Sequence, residues 1–528
     1  MGIYLNPGNE KFKMSLRDDI YVDKTRMIEY VNGRIGKRNR YLCVSRPRRF
    51  GKTMTVEMLT AYYSKGCDSR DLFAKLKIAE TENYEEHLNQ YNVIFLNMQE
   101  FLSNSDTMED MISLLKKSVL WDLLEEYPDY RYFDTEKISR TMYDVYMNSK
   151  CPFVMLIDEW DCVFREYKED KKSQDKYLDF LRDLLKDKEY INLTYMTGIL
   201  PIKKYGTHSA LNMFEEYTMI NPRQLGEYIG FIEEEVTDLC KIYNMNPVEM
   251  KDWYDGYKFM GASSVYNPRS VVAALTAGVY DTYWNQTETF EALRMYIDMN
   301  FEGLREDVLE MLAGRSVHVK VHMFTNDMVT FRSKDDVLTL LVHLGYLIYD
   351  RENETVSIPN NEIRNEYSNA IIVSGWGEVS KALHEAADTL DAILEMKEER
   401  VANAIERAHF ETSHIQYNDE NALSYTISLA LFTARNFYNI YRELPTGKRF
   451  ADMVYIPKKK FAYKPAIVME LKWDKSAKGA IEQIKNKEYC DSLKDYKGNV
   501  LLVGINYDKK TRKHECVIES YAWHYLQI

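Results

Sequence analysis

The chain has 528 residues, 45% of them hydrophobic and 29% charged, with a formal net charge of -13. Such a length exceeds what one core holds and points to two or three domains of ordinary globular composition. The acidic balance excludes a surface coated for non-specific nucleic-acid binding but leaves room for a local basic patch. Seven scattered cysteines, Cys43, Cys67, Cys151, Cys162, Cys240, Cys490 and Cys516, contain no Cys-x-x-Cys pair and read as reduced. No signal-like leader and no uncharged run of bilayer length is present, so a cytoplasmic protein without a membrane partner is expected.

A short helix is expected over residues 24–32, followed by a basic connector. Tyr41-Leu-Cys-Val-Ser45 is then an apolar run that reaches Gly51-Lys52-Thr53 through Arg46-Pro-Arg-Arg-Phe, with a helical pattern beyond. A strand, a tight loop of inward-facing N–H groups and a helix N-terminus together bind phosphate. Lys52 would reach the β- and γ-phosphates of ATP, the Thr53 hydroxyl would hold Mg²⁺, and Gly51 would let the backbone approach. Arg46 stands where the general pattern has its first glycine. By itself Gly-Lys-Thr is equally an ordinary lysine-capped turn.

Strand patterns recur at 91–98, 153–158 and 193–198, separated by helical patterns at 108–126, 135–149 and 175–188, which predicts a parallel sheet with helices on both faces. Val154-Met-Leu-Ile-Asp158-Glu159 ends in two acids, as a buried strand does when carboxylates stand at its C-terminal edge. Asp158 would hold Mg²⁺ through water and Glu159 would polarise the attacking water.

Beyond Phe231 helical patterns take over. They are interrupted by Trp253-Tyr-Asp-Gly256-Tyr257 and Tyr266-Asn-Pro268, whose Asp-Gly and Asn-Pro pairs form turns. Residues 337–349 and 355–359 have the outline of a winged helix, but an apolar helix there suits packing better than DNA reading. A charged helix is expected over 389–409 and a long one over 420–443.

Two strands follow, 449–456 and 466–472. Period-two alternation puts Val468, Glu470 and Lys472 on one face of the second, and Asp452 interrupts the first in the same way. If these strands are neighbours, Asp452 and Glu470 converge on one divalent cation, a hard-oxygen site for Mg²⁺ or Mn²⁺. Lys472 would orient water and offset charge in the transition state. Lysines at 458, 459, 460, 464, 475, 478, 485 and 487 supply a basic flank suited to a phosphate backbone, or simply a solvated face.

Arg46-Pro-Arg-Arg-Phe-Gly-Lys-Thr53, with Tyr21-Val-Asp-Lys-Thr25, Leu156-Ile-Asp-Glu159 and Thr197-Gly198, resembles the AAA-ATPase-like proteins of bacteria, whose C-terminal part is a PD-(D/E)xK nuclease-superfamily domain. The resemblance accounts for Arg46 in place of glycine. It implies that Thr197 is a polar sensor of the γ-phosphate, that residues 21–25 lie beside the nucleotide, and that the Tyr-Asp-Gly-Tyr and Tyr-Asn-Pro turns shape a lid. It makes Asp452 and Glu470-Leu-Lys472 the nuclease signature, with Ala451 in place of the usual proline. Gln483, on a helix over 477–490, is similar to the superfamily's downstream glutamine, and Glu420 to its upstream acid.

The expected fold class is therefore α/β: a P-loop NTPase parallel sheet over 1–230, a helical lid and linker over 231–400, and an α/β/α nuclease-like domain over 401–528. ATP binding or hydrolysis would gate metal-dependent cleavage of nucleic acid, DNA by preference. The alternative is a nucleotide switch whose nuclease-like domain grips nucleic acid or a protein without cutting. The sequence assigns no arginine finger, so an ATP-driven hexamer is unsupported, and a homo-oligomer is open but not derivable.

Overall fold

Strands that are apolar at every position bury both faces, which requires a sheet covered on each side. The computed structural model describes residues 2–202, 211–259, 262–284, 289–299, 301–325, 331–374, 378–411, 420–446, 449–458, 461–486 and 498–521. Strands β1 (Tyr41–Ser45), β2 (Asn92–Asn97), β3 (Phe153–Asp158), β4 (Ile191–Gly198) and β5 (Glu215–Tyr217) form one sheet in the order β2-β3-β4-β1-β5, and every pairing is parallel. The register sets Val44 beside Thr197 and Asn97 beside Asp158, so the carboxyl ends of these strands share one edge. Open α/β sheets bind ligands at that edge.

The chain divides into two compact units, Met1–Thr289 with Ser316–Asn365, and Phe290–Arg315 with Glu366–Ile528. In the first, β6 (Phe231–Ile232), β7 (Tyr257–Phe259) and β8 (Ala262–Tyr266) make a small sheet in the order β6-β8-β7. Two turn motifs frame it. Gly256 adopts φ 128°, and a Cβ there would stand 2.5 Å from the Pro359 carbonyl oxygen, so both conformation and space require glycine. Asn267 caps the helix Pro268–Ala277, its side chain accepting from the N–H groups of Arg269 and Ser270, with proline at the first helical position.

The helix Lys334–His343 is buried at every position from Asp336 onward and leads to the antiparallel pair β10 (Ile348–Asp350) and β11 (Thr355–Ser357), which β9 (Val317–His318) extends. A helix so enclosed packs a core.

In the second unit, β12 (Tyr438–Thr446), β13 (Arg449–Pro457), β14 (Ala466–Trp473), β15 (Val500–Asp508) and β16 (Lys513–Tyr521) form a sheet in that order, with β14 and β15 parallel and the other neighbours antiparallel. Helices Glu398–Glu411, Glu420–Ala430 and Ala477–Asn486 pack on it. Two expectations are corrected here. The helix expected over 420–443 ends at Ala430, because Tyr438–Thr446 gains a full antiparallel partner in β13. The single helix expected over 389–409 is two, Glu378–Leu394 and Glu398–Glu411, broken where Met396 takes φ 55°.

Cys43, Cys67, Cys151, Cys162, Cys240 and Cys516 are free, and Cys490 lies outside the described residues. Among the described residues no helix is long and apolar enough to cross a membrane.

Candidate functional site

The loop leaving β1 turns through two left-handed residues, Arg49 at φ 69° and Gly51 at φ 88°, before the helix Lys52–Tyr63 begins. A Cβ at Gly51 would meet nothing within 4 Å, so backbone conformation is what requires glycine there. Successive turns of this kind aim N–H groups into a concavity and make an anion nest. The loop forms one wall of a cavity of about 1010 Å³ lined also by Lys52, Thr53, Glu159 and Arg165, by Tyr21 and Lys24, and by Phe231 and Arg269 from the small-sheet region.

From the cavity wall the Thr53 hydroxyl donates to the enclosed Asp158 Oδ2 at 2.7 Å, although 105 positions separate the two in sequence. Asp158 is wholly buried, which pushes its carboxyl pKa up, with the Thr53 hydrogen bond opposing. Lys52 donates to the Pro47 carbonyl at 2.9 Å, bracing the loop, and burial holds its ammonium below the usual lysine value against the pull of Glu159 and Asp158. Glu159 adopts φ 52° and ion-pairs with Arg165. Arg165 also lies 3.6 Å from Asp161, a buried carboxylate that accepts from the N–H groups of Ile199 and Leu200 beyond β4. Burial alone would lower the Arg165 pKa, yet Asp161 and Glu159 together raise it.

Besides Asp158, two more assigned residues sit away from the cavity wall. Arg46 continues the ladder of β1, its N–H donating to the Gly198 carbonyl, so its side chain runs onto a sheet face. There it donates to the carbonyls of Ser45 and Tyr217 and lies 4.8 Å from the Phe259 ring, fully buried, with its pKa lowered to about 10 by desolvation. Thr197 is also wholly buried, and its hydroxyl has no hydrogen-bond partner among the described residues. The segment Tyr21–Thr25 is fastened through its middle: Asp23 accepts from Lys77 N–H at 2.8 Å, and Lys24 reaches Glu227 O at 2.8 Å and Glu235 at 2.6 Å.

The second constellation lies on one face of the second sheet. Met453 pairs with Met469, so Asp452 and Glu470 follow side by side on adjacent strands. Asp452 Oδ2 accepts from Leu471 N–H at 2.7 Å, and Glu470 Oε1 lies 2.9 Å from the Lys472 ammonium. Glu470 and Lys472 are 3% and 10% exposed, a buried ion pair where alternation would otherwise put apolar groups. Val454, Val468, Ile481, Ile484 and Leu502 form the core beneath them. Gly504 faces Glu470, and a Cβ there would meet the Ala477 carbonyl at 2.3 Å, so glycine lets the helix Ala477–Asn486 close on the sheet.

Gln483 is on that helix, half-buried; Lys487, Tyr489 and Cys490, which the sequence placed on its continuation, lie outside the described residues. Glu420 is the first residue of the helix Glu420–Ala430, which packs on β14; its side chain is not among those described. Lys459 and Lys460 also fall outside the described residues, and Lys458 is buried. Two adjacent carboxylates with an ammonium suit a hard divalent cation that keeps water and phosphate in its shell. Among the described residues no group of three or more histidine, cysteine, aspartate or glutamate side chains gathers as a softer metal would need.

Arg165, Asp161 and Arg269 escaped the sequence reading, while Lys24 belongs to the Tyr21–Thr25 segment expected beside the nucleotide and lines the cavity. The first two carried a signal, since the Asp161-x-x-x-Arg165 spacing puts carboxylate and guanidinium on one face of a helical turn directly after Asp158-Glu159.

A family model described as a predicted AAA-ATPase matches residues 8–207, and one for the PD-(D/E)XK nuclease superfamily matches residues 418–516. No curated protein matches the chain. Among solved structures, the chain is similar to a Walker-type ATPase of Pyrococcus abyssi (14% identity, 66% of this chain and 97% of that one, TM-score 0.36). It is also similar to the ORC2 protein of Aeropyrum pernix (12% identity, 68% and 98%, TM-score 0.23).

Proposed function

We propose that this chain, which carries an AAA-ATPase-like domain and a PD-(D/E)XK nuclease-superfamily domain, hydrolyses ATP in the first and uses nucleotide state to gate cleavage of nucleic acid, DNA by preference, in the second. The functional division follows the sequence, with an ATPase module to about residue 230, a lid and linker to about 400, and the nuclease module beyond. A cytoplasmic setting is part of the same proposal.

In the ATPase module the loop N–H groups and Lys52 would hold the β- and γ-phosphates, Thr53 and Asp158 would hold Mg²⁺, and Glu159 would turn the attacking water toward phosphorus. Thr197, near the carboxyl end of β4 and behind the cavity wall, would sense the γ-phosphate, and its enclosed, unsatisfied hydroxyl supports a polar role. Arg46 braces β1 against β5 rather than facing the phosphates. Arg165 counters the charge of Glu159 until nucleotide enters.

In the nuclease module Asp452 and Glu470 would hold Mg²⁺ or Mn²⁺, which when bound supplies Lewis-acid activation of the scissile phosphate. Lys472 places its ammonium beside the phosphate and offsets the negative charge that builds during attack. Gln483 and Glu420 flank the site, Gln483 as a hydrogen-bonding side chain for substrate and Glu420 as a further acid. The observation that carries the nuclease proposal is the Glu470–Lys472 pair, buried at 2.9 Å next to Asp452 on the same sheet face. A buried ion pair contributes little to stability, so chemistry is the better reason for keeping it. The test is incubation of plasmid DNA, single-stranded DNA and RNA with the full chain in Mg²⁺ or Mn²⁺, with and without ATP. Metal-dependent cutting lost in Glu470→Gln supports the proposal; no cutting of any substrate under any condition leaves the nucleotide switch.

A further inference from the structure

β15 and β16 are joined through Asp508-Lys509-Lys510-Thr511-Arg512-Lys513, which concentrates four cations in five positions of a chain whose net charge is -13. Residues Lys509 to Lys513 are all exposed. The neighbouring acids are turned to structural use. Asp508 Oδ1 accepts from the backbone N–H groups of Lys510 at 2.7 Å and Thr511 at 3.1 Å, and Asp474 Oδ1 accepts from that of Lys509 at 2.7 Å.

The same contacts fasten the turn to the strand that carries Glu470 and Lys472. Asp474, two residues past Lys472, adopts φ 52° and donates its N–H to the Tyr507 carbonyl at 2.8 Å, and Lys475 N–H donates to Asn506 Oδ1 at 3.0 Å. Glu470 faces Gly504 across the parallel pair, so the turn begins four residues beyond the carboxylate site, roughly 13 Å at about 3.3 Å per residue. Lys475 and Lys478, both exposed, leave β14 at the same end.

We propose that Lys509, Lys510, Arg512 and Lys513 grip the phosphate backbone of the nucleic acid that flanks the cleavage point, holding it across Asp452, Glu470 and Lys472. This proposal rests on the nuclease assignment of that site. Backbone contacts position a nucleic acid without reading its sequence, and they draw affinity from counterion release. A turn held by its own backbone hydrogen bonds fixes the stretch that carries these charges, so binding orders their side chains but not the backbone.

The test uses the full chain in Ca²⁺ and a fluorescein-labelled duplex DNA, with a single-stranded RNA of equal length as the second probe. Anisotropy titrations over a series of KCl concentrations compare wild type, Lys510→Glu/Arg512→Glu and Lys510→Arg/Arg512→Lys. The charge-reversed variant should bind at least about tenfold more weakly. Its plot of log affinity against log salt should be shallower by about 1.8 on duplex DNA, at about 0.9 per lost phosphate contact, and the conservative variant should match wild type. Since the altered side chains are exposed, the thermal transition should not move. Equal affinity and equal salt slope in wild type and charge-reversed protein would overturn the role of the turn and leave the nuclease assignment standing. Failure of wild type to bind either probe would remove the nucleic-acid partner itself, and the turn's role with it.

Discussion

Removal of the Lys472 ammonium should cost stability as well as catalysis. The structure buries Lys472 against Glu470 at 2.9 Å, with side chains 10% and 3% exposed. Lys472→Met leaves the Glu470 carboxylate enclosed without its counter-charge, and breaking a buried pair from one side costs about 3–5 kcal/mol. For a unit of this size each kcal/mol moves the transition by about 2–4 °C, so the second unit should melt about 6–20 °C lower in metal-free buffer. Replacing both partners, as in Glu470→Met/Lys472→Met, removes the stranded charge and should recover most of the loss. Calorimetry of the full chain in EDTA follows the transition, and cleavage assays at a temperature where the variant is folded separate chemistry from stability. A Lys472→Met melt that coincides with wild type would refute the buried-pair account.

The nucleotide site makes a contrasting pair of predictions: Lys52→Ala should abolish ATP binding by calorimetry, whereas Glu159→Gln should bind normally and lose turnover by about 10²-fold or more, and reversal of that pattern would contradict the assigned roles. At the second site Ca²⁺ should bind while supporting little cutting, because it tolerates loose coordination; activity that survives mild chelation and is lost only on stripping zinc would count against two hard carboxylates. A pH effect follows from His409 and His514, whose rings lie 5.0 Å apart and whose pKa values burial lowers to about 4 and about 3, with His409 adding to the shift at His514. The unfolded chain takes up their protons below about 6.5 and the folded one does not, so their stabilisation is complete above about 6.5 and is lost as pH falls toward 4. The slope is about 1.4 kcal/mol per pH unit for each histidine, and a second-unit melting temperature that is flat from pH 7 to pH 5 would contradict it.

What the sequence disclosed depends on how local the signal was. β1 and β3 are continuous apolar runs, the first leading through a short loop to Gly-Lys-Thr and the second into Asp-Glu, and both the parallel sheet and the Thr53–Asp158 meeting follow from such runs. The alternation around Glu470 likewise set Lys472 on the same face, and the pairing of β13 with β14 brought Asp452 beside them. The region after Ala430 was less legible. Leu423, Ile427, Leu431 and Ala434 keep a helical stripe and are buried, but Tyr438–Thr446 exchanges that period for a strand partner reached only through the fold. Arg46 was hidden for a related reason: chemistry marks an arginine beside a phosphate loop, while the strand register that sends it onto a sheet face depends on Gly198, far along the chain. Arg269 reaches the cavity through tertiary packing and has no local signature, whereas Lys24 stands in the Tyr21–Thr25 motif.

The most direct measurement is cleavage by wild type and by Lys52→Ala in Mg²⁺ or Mn²⁺ with ATP, with ADP and without nucleotide. Coupling of the two modules predicts that wild-type cutting changes with the nucleotide present, whereas Lys52→Ala cuts at one rate in all three conditions. Cutting that is identical in both proteins and indifferent to nucleotide would contradict gating, and wild type with demonstrated ATPase activity that cuts neither DNA nor RNA would contradict the nuclease.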